Sequence, residues 1–220
     1  MPTRPRQLAL VLDHGESYAR EDFLSGPCNE AALRLIDCWP DWPANAIALI
    51  GPPGSGKTHL AMIWAEAAGA RVVAGRNLTE AELPAALATG ALLVEDAAAA
   101  EQRPLFHLIN LAREEKAFLL LTARMPPSSW PVAIPDLVSR LRAMPLATLT
   151  APDDAMLRAV IVKLAADRQL PLDESAVAYL STRIERSFAA ARAAIRALDN
   201  EALRQKRAPT RALAAELFRD

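Results

Sequence analysis

Four apolar residues, Ile47-Ala48-Leu49-Ile50, run directly into Gly51-Pro52-Pro53-Gly54-Ser55-Gly56-Lys57-Thr58, and a helix-like stretch follows at once. No other segment constrains the fold so tightly. The pattern is GxxxxGK[ST] set between a buried strand and a helix, where successive backbone N–H groups turn inward as an anion nest. The helix N-terminus adds partial positive charge at the same point. Lys57 is then placed to reach the outer phosphates of a nucleotide, and the Thr58 hydroxyl to hold Mg²⁺. The motif predicts ADP or ATP with Mg²⁺ as cofactor, bound by Gly51, Pro52, Pro53, Gly54, Ser55, Gly56, Lys57 and Thr58. A chance glycine-rich turn would not need the strand before it and the helix after it.

The remaining pattern fits that centre. Ile47–Ile50, Arg71–Ala74, Ala91–Val94 and Phe118–Leu121 read as short buried strands, with a fifth near Leu146–Leu149. Between them Thr58–Ala68, Thr79–Ala88 and Glu101–Glu115 place apolar residues three or four apart and read as helices. Strands alternating with helices imply right-handed crossovers into a parallel sheet. After Thr150-Ala151-Pro152 only helical patterns remain, with Asp153 and Asp154 at a helix start, a break at Pro171-Leu172-Asp173 and Ser187 as a cap. The expected organisation is an α/β nucleotide-binding domain over 1–150 with a five-stranded parallel sheet, and a small all-helical lid over 151–220.

Composition excludes several other classes. The chain is 52% apolar and 23% charged, as soluble globular domains are, and its apolar runs are too short to span a bilayer. It reads as cytoplasmic, with no membrane contact. Cys28 and Cys38 stand ten apart with no ligand cluster, and His14, His59 and His107 are scattered, so neither a zinc site nor a disulfide framework is expected. A formal net charge of −1 lacks the basic footprint of direct nucleic-acid binding, so DNA is expected to be reached only through other proteins. Of the 25 basic residues only Lys57, Lys116, Lys163 and Lys206 are lysine, so an arginine at any one position carries little information.

Val94-Glu95-Asp96 closes a predicted strand with two acids. In a phosphate-loop protein one carboxylate at this place organises Mg²⁺ and the next orients the attacking water. Glu95 is therefore the candidate metal ligand beside Thr58, and Glu95 and Asp96 are both candidate catalytic residues. The longer side chain comes first, an inversion of the familiar order that weighs more against efficient hydrolysis than against magnesium binding.

With these residues in place the chain resembles the DnaA-related AAA+ proteins, over nearly its full length. Phe23-Leu24-Ser25-Gly26-Pro27-Cys28-Asn29-Glu30-Ala31-Ala32 is similar to the FxxGxxNxxA segment of that family, which implies that Phe23 and Asn29 lie beside the adenine. Leu121-Thr122-Ala123-Arg124-Met125-Pro126-Pro127 matches its sensor-1 region and double-proline turn, with Thr122 as a cofactor-binding position. Ile134-Pro135-Asp136-Leu137-Val138-Ser139-Arg140-Leu141 resembles the helix that carries an arginine finger, with Arg140 in the finger position, acting in trans.

Within the family the resemblance is to regulators of the initiator rather than to the initiator. The chain stops at Asp220 after the lid, so origin recognition by a further DNA-binding domain is not expected. Gln7-Leu8-Ala9-Leu10, within segment 7–12, resembles a QLxL motif that docks on the DNA polymerase sliding clamp, which implies Gln7, Leu8 and Leu10 as partner-binding residues. At the sensor-2 position of the lid this chain has Ala189 instead of arginine, and Arg186 and Arg192 are expected on other faces. These departures imply weak hydrolysis of its own nucleotide and suit a protein that holds ADP and acts on a partner's ATP. The function implied is a clamp-tethered regulator that promotes hydrolysis of DnaA-bound ATP, with self-association compatible with the family. The rivals are a self-hydrolysing ATPase, such as a helicase loader or clamp-loader subunit, and an adaptor that needs nucleotide only to fold.

Overall fold

Alternation along each strand sends successive side chains to opposite faces, and the computed structural model, which describes residues 18–218, has helices covering both. Helix α1 (Glu30–Asp37) precedes strand β1 (Ala46–Ile50), and α2 (Lys57–Ala68) leads to β2 (Arg71–Ala74). Then follow α3 (Leu83–Leu87), β3 (Ala91–Glu95), α4 (Gln102–Glu114), β4 (Phe118–Ala123), α5 (Pro135–Ala143) and β5 (Leu146–Thr148). All pairings are parallel, and the strand order is β2-β3-β4-β1-β5.

Ile47, Leu49, Leu93 and Leu120 point to one face, where Leu33 and Ile36 of α1 and Leu60 and Trp64 of α2 cover them. Their neighbours Ala48, Ile50, Leu92, Val94, Leu119 and Leu121 point to the other, against Leu87 of α3, Leu105 and Leu108 of α4, and Leu137 and Leu141 of α5. Trp42 stacks on Trp64 with ring centres 5.1 Å apart. Strand β2 is an edge, which is why Arg71 and Val72 are exposed although the run reads as apolar.

One predicted helix is not continuous. Over 79–88 the chain makes a tight turn at Glu80–Glu82 and then only the short α3. Pro84 is the reason: lacking an N–H, it fits only the first turn of an α-helix, so the helix cannot extend upstream past it. Helix α1 was not among the helices predicted from periodicity.

The described residues form two compact units that meet in sequence at 152/153. The second unit holds α6 (Asp154–Asp167), α7 (Glu174–Arg183), α8 (Phe188–Gln205) and α9 (Arg211–Leu217), packed around Leu157, Ile161, Leu180, Ile195, Leu198 and Leu213. Its helix starts are capped by side chains: Asp153 accepts from the Met156 amide at 2.7 Å, Asp173 from Ala176 at 2.7 Å, and Ser187 from Ala190 at 3.1 Å. The Ala176 amide, and after it the Ser175 hydroxyl, hold the Asp173 carboxyl below the usual carboxylate range. Among the described residues no helix is long and apolar enough to cross a membrane. The proposed docking residues Gln7, Leu8 and Leu10 lie outside the described residues.

Candidate nucleotide-binding site

Strand β1 ends at Ile50, in the middle of the sheet, and the chain turns through the glycine-rich loop into α2. In doubly wound sheets ligands collect at the carboxyl ends of the strands where the strand order reverses, and here β1 lies between β4 and β5. Gly56 starts α2 at φ +91°, a left-handed conformation that a side chain would strain. Gly51 is needed for space: a Cβ there would lie 2.7 Å from the Leu149 carbonyl oxygen and 2.8 Å from Ser55 Oγ.

The loop's polar groups fit a nucleotide polyphosphate. Ser55 Oγ is buried with no hydrogen-bond partner, an orphan that a phosphate oxygen would satisfy. Lys57 Nζ donates to the carbonyls of Gly51 and Pro52, both at 2.8 Å, so its ammonium lies folded over the loop. Burial first, and then the Arg124 guanidinium, push the Lys57 ammonium below its ordinary pKa, while Asp96 pulls it partly back. An anion between these groups would relieve the repulsion.

The acidic strand end is on the same side of the sheet. Val94 faces the opposite core, so alternation turns Glu95 toward the α2 face. Asp96 then adopts φ +49° and ψ +51°, a left-handed conformation that aspartate tolerates better than most residues. Its amide donates to Thr122 Oγ1 at 3.0 Å, and Thr122 is buried at the end of β4. Thr122 thus holds the acidic turn in place. Among the described residues no three His, Cys, Asp or Glu side chains gather around one point. Thr58 and Glu95 are the residues that could hold a magnesium ion here together with phosphate oxygens, as hard cations at phosphate sites commonly are held. Replacing Thr122 with valine is expected to lower stability by about 1 kcal/mol, because the Asp96 amide loses its acceptor. Urea unfolding measures that loss, and a fall in Mg²⁺-nucleotide affinity should accompany it.

Phe23 and Asn29 serve the loop that precedes α1. Phe23 is buried with its ring edge-on to His59 of α2, centres 5.3 Å apart. Asn29 is buried, accepting from the Gly26 amide at 2.9 Å and donating to the Leu24 carbonyl at 2.8 Å. Both its polar groups therefore fix this loop beside the phosphate-loop helix.

Arg140 is not brought to the phosphate loop. It belongs to α5, on the sheet face opposite α2. Its guanidinium lies over the ring of Phe106 in α4, 5.8 Å from the ring centre, and its Nε is buried without a partner. In the helical unit Arg186 precedes α8 rather than lying on it, and pairs with Asp154 at 2.8 Å. Sequence reasoning missed two groups, Arg124 beside Lys57 and the Phe106 ring under Arg140, because both depend on strand and helix neighbours far apart in the chain.

Fold and site together define a phosphate-loop α/β domain, a five-stranded parallel sheet with a C-terminal helical unit, and solved structures of replication proteins share this fold. No protein-family model and no curated protein matches the sequence. Among solved structures it is similar to domain III of the Thermotoga maritima replication initiation protein DnaA, with a TM-score of 0.74 and 20% identity over 92% of this chain and 96% of that one. It is also similar to a replication initiator DnaA bound to AMPPCP and single-stranded DNA, with a TM-score of 0.65 and 19% identity over 86% of this chain and 68% of that one. The Thermotoga maritima RuvB Holliday junction branch migration motor aligns with a TM-score of 0.65 and 18% identity, over 78% of this chain and 60% of that one. At such identities the likeness is one of fold.

Proposed function

We propose that this chain is a nucleotide-binding regulator of replication initiation, of the Hda type, which promotes hydrolysis of ATP bound to DnaA while tethered to the sliding clamp. The observation that carries the reading is Arg140: a half-buried cation, held on an aromatic face away from its own phosphate loop, with no carboxylate partner among the described residues. Such a group has charge to offer to a second molecule. In trans it would neutralise charge developing on the γ-phosphate as water attacks phosphorus and the bond to the β–γ bridging oxygen breaks. Its own ADP or ATP, bound with Mg²⁺, would order the site rather than be the substrate. DNA would be reached only through the clamp and DnaA, and self-association is compatible with this reading.

A self-hydrolysing ATPase, such as a helicase loader or clamp-loader subunit, is the competing reading. It draws on Asp96, whose charge Lys57 senses, and on Glu95 at the α2 face. Basal turnover of the purified protein separates the two.

The test is phosphate release from ATP-bound DnaA mixed with clamp-loaded DNA. This chain should accelerate release, and replacing Gln7, Leu8 and Leu10 together with alanine should abolish the effect while nucleotide affinity and the unfolding midpoint stay at wild type. Absence of acceleration by the wild type would overturn the proposal. Acceleration that survives the triple replacement would remove the clamp tether from it.

A further inference from the structure

The Nε–H of Arg140 is buried without an acceptor, a cost of the kind that folds carry at functional positions. Asp136 stands one turn before it on α5, at the spacing where aspartate and arginine pair, yet no ion pair joins them among the described residues. The guanidinium lies over Phe106 instead, 5.8 Å from the ring centre. Phe106 is half-buried and packs against the core cluster that holds Leu137 and Leu141 of α5, so the ring is fixed to the same core as the helix it faces. Gln102, one turn earlier on the same face of α4, fixes the approach to that helix. Its side-chain amide donates to the Pro131 carbonyl at 3.2 Å and accepts from the Ala133 amide at 2.9 Å. Ala133 leads directly into Ile134, the N-cap of α5. Two successive turns of α4 thus hold the entry of α5 and its charged residue.

A ring and a carboxylate hold an arginine in different ways. A carboxylate occupies the guanidinium fork and neutralises its charge, whereas a ring attracts the cation through its face and leaves the in-plane N–H donors free. An arginine held by a ring can therefore still bridge the phosphate oxygens of a second molecule. Its long side chain also loses rotamer freedom before that molecule arrives rather than on contact, which lowers the entropic cost of engaging a γ-phosphate. We propose that Phe106 is a positioning residue for Arg140, a platform that holds the guanidinium in place with its charge and donors available. The inference rests on the trans-acting role proposed for Arg140 and assigns the residue through which that role is set up.

The test is a double-mutant cycle on stimulated phosphate release from ATP-bound DnaA on clamp-loaded DNA. Phe106→Leu keeps an apolar contact with the core and removes the ring. The maximal stimulated rate should fall about tenfold, the scale of one desolvated cation–π contact, while the concentration of this chain that gives half the maximal effect stays near wild type. Phe106→Tyr keeps the ring and should retain most of the rate. In an Arg140→Ala background, Phe106→Leu should cause no further loss. Without DnaA present, solvent exchange of the Arg140 Nε–H, identified in NMR spectra by its absence in Arg140→Ala, should be faster in Phe106→Leu than in wild type or Phe106→Tyr. An undiminished rate in Phe106→Leu, equal losses in Phe106→Leu and Phe106→Tyr, an additive loss in the double variant, or unchanged exchange would overturn the inference while wild-type stimulation stands. A wild type that gives no stimulation would overturn the proposed function and the inference together.

Discussion

Lys57→Ala is expected to lower affinity for both ADP and ATP by about 100-fold or more, since the variant loses about two charge-assisted bonds to phosphate. The loop would not unfold with it. Pro52 is exposed, so water can replace the ammonium at its carbonyl, and only the bond to the buried Gly51 carbonyl is lost from the loop itself. The unfolding midpoint without nucleotide should therefore stay close to wild type, while the stabilisation that ligand adds by mass action disappears. Calorimetry and nucleotide-dependent melting measure the two effects independently. Wild-type affinity in the variant would mean that the loop of residues 51–58 is not the phosphate site.

Arg140→Ala is expected to leave this chain's own nucleotide affinity near wild type and to reduce its stimulation of DnaA-bound ATP hydrolysis by about 10³-fold, the scale of a trans-acting arginine. The separation follows from geometry, since α5 and α2 cover opposite faces of the sheet. Arg140→Lys should also be poor. A lysine keeps the charge but loses the planar fork that can bridge phosphate oxygens and lie flat on Phe106. Arg142, exposed and two residues further along the same helix, faces elsewhere and serves as the control, with little effect expected from Arg142→Ala. Full stimulation by Arg140→Ala, or loss of its own nucleotide, would contradict a role in trans.

The phosphate loop was legible because strand, nest and helix are encoded within a dozen consecutive residues. The parallel sheet was legible for a related reason, since each strand is a short apolar run bounded by helical periodicity. The break over 79–88 was readable in principle from Pro84, whose missing N–H limits it to a first turn, but the apolar spacing around it suggested one helix. Strand order was not legible: that β1 lies between β4 and β5 depends on register between residues as distant as Ala46 and Leu119. The same long-range register brings Ala123 to Gly51, which is why Arg124, though part of the matched sensor-1 segment, is given no role of its own by the sequence. The matched segment points to Asn29, and the hydrogen bonds of its side chain add what sequence did not give, that it fixes the backbone at Leu24 and Gly26.

Whether the chain's chemistry is delivered to a partner's nucleotide is read directly by a single-turnover measurement with the label in one site at a time. γ-Labelled ATP is loaded either on DnaA or on this chain, the two are mixed on clamp-loaded DNA, and labelled phosphate is followed. Label on DnaA should be released much faster when this chain is present, and label on this chain should stay bound over the same interval. Rapid release of label from this chain, with release from DnaA unchanged, would contradict the regulatory reading and establish a self-hydrolysing ATPase in its place.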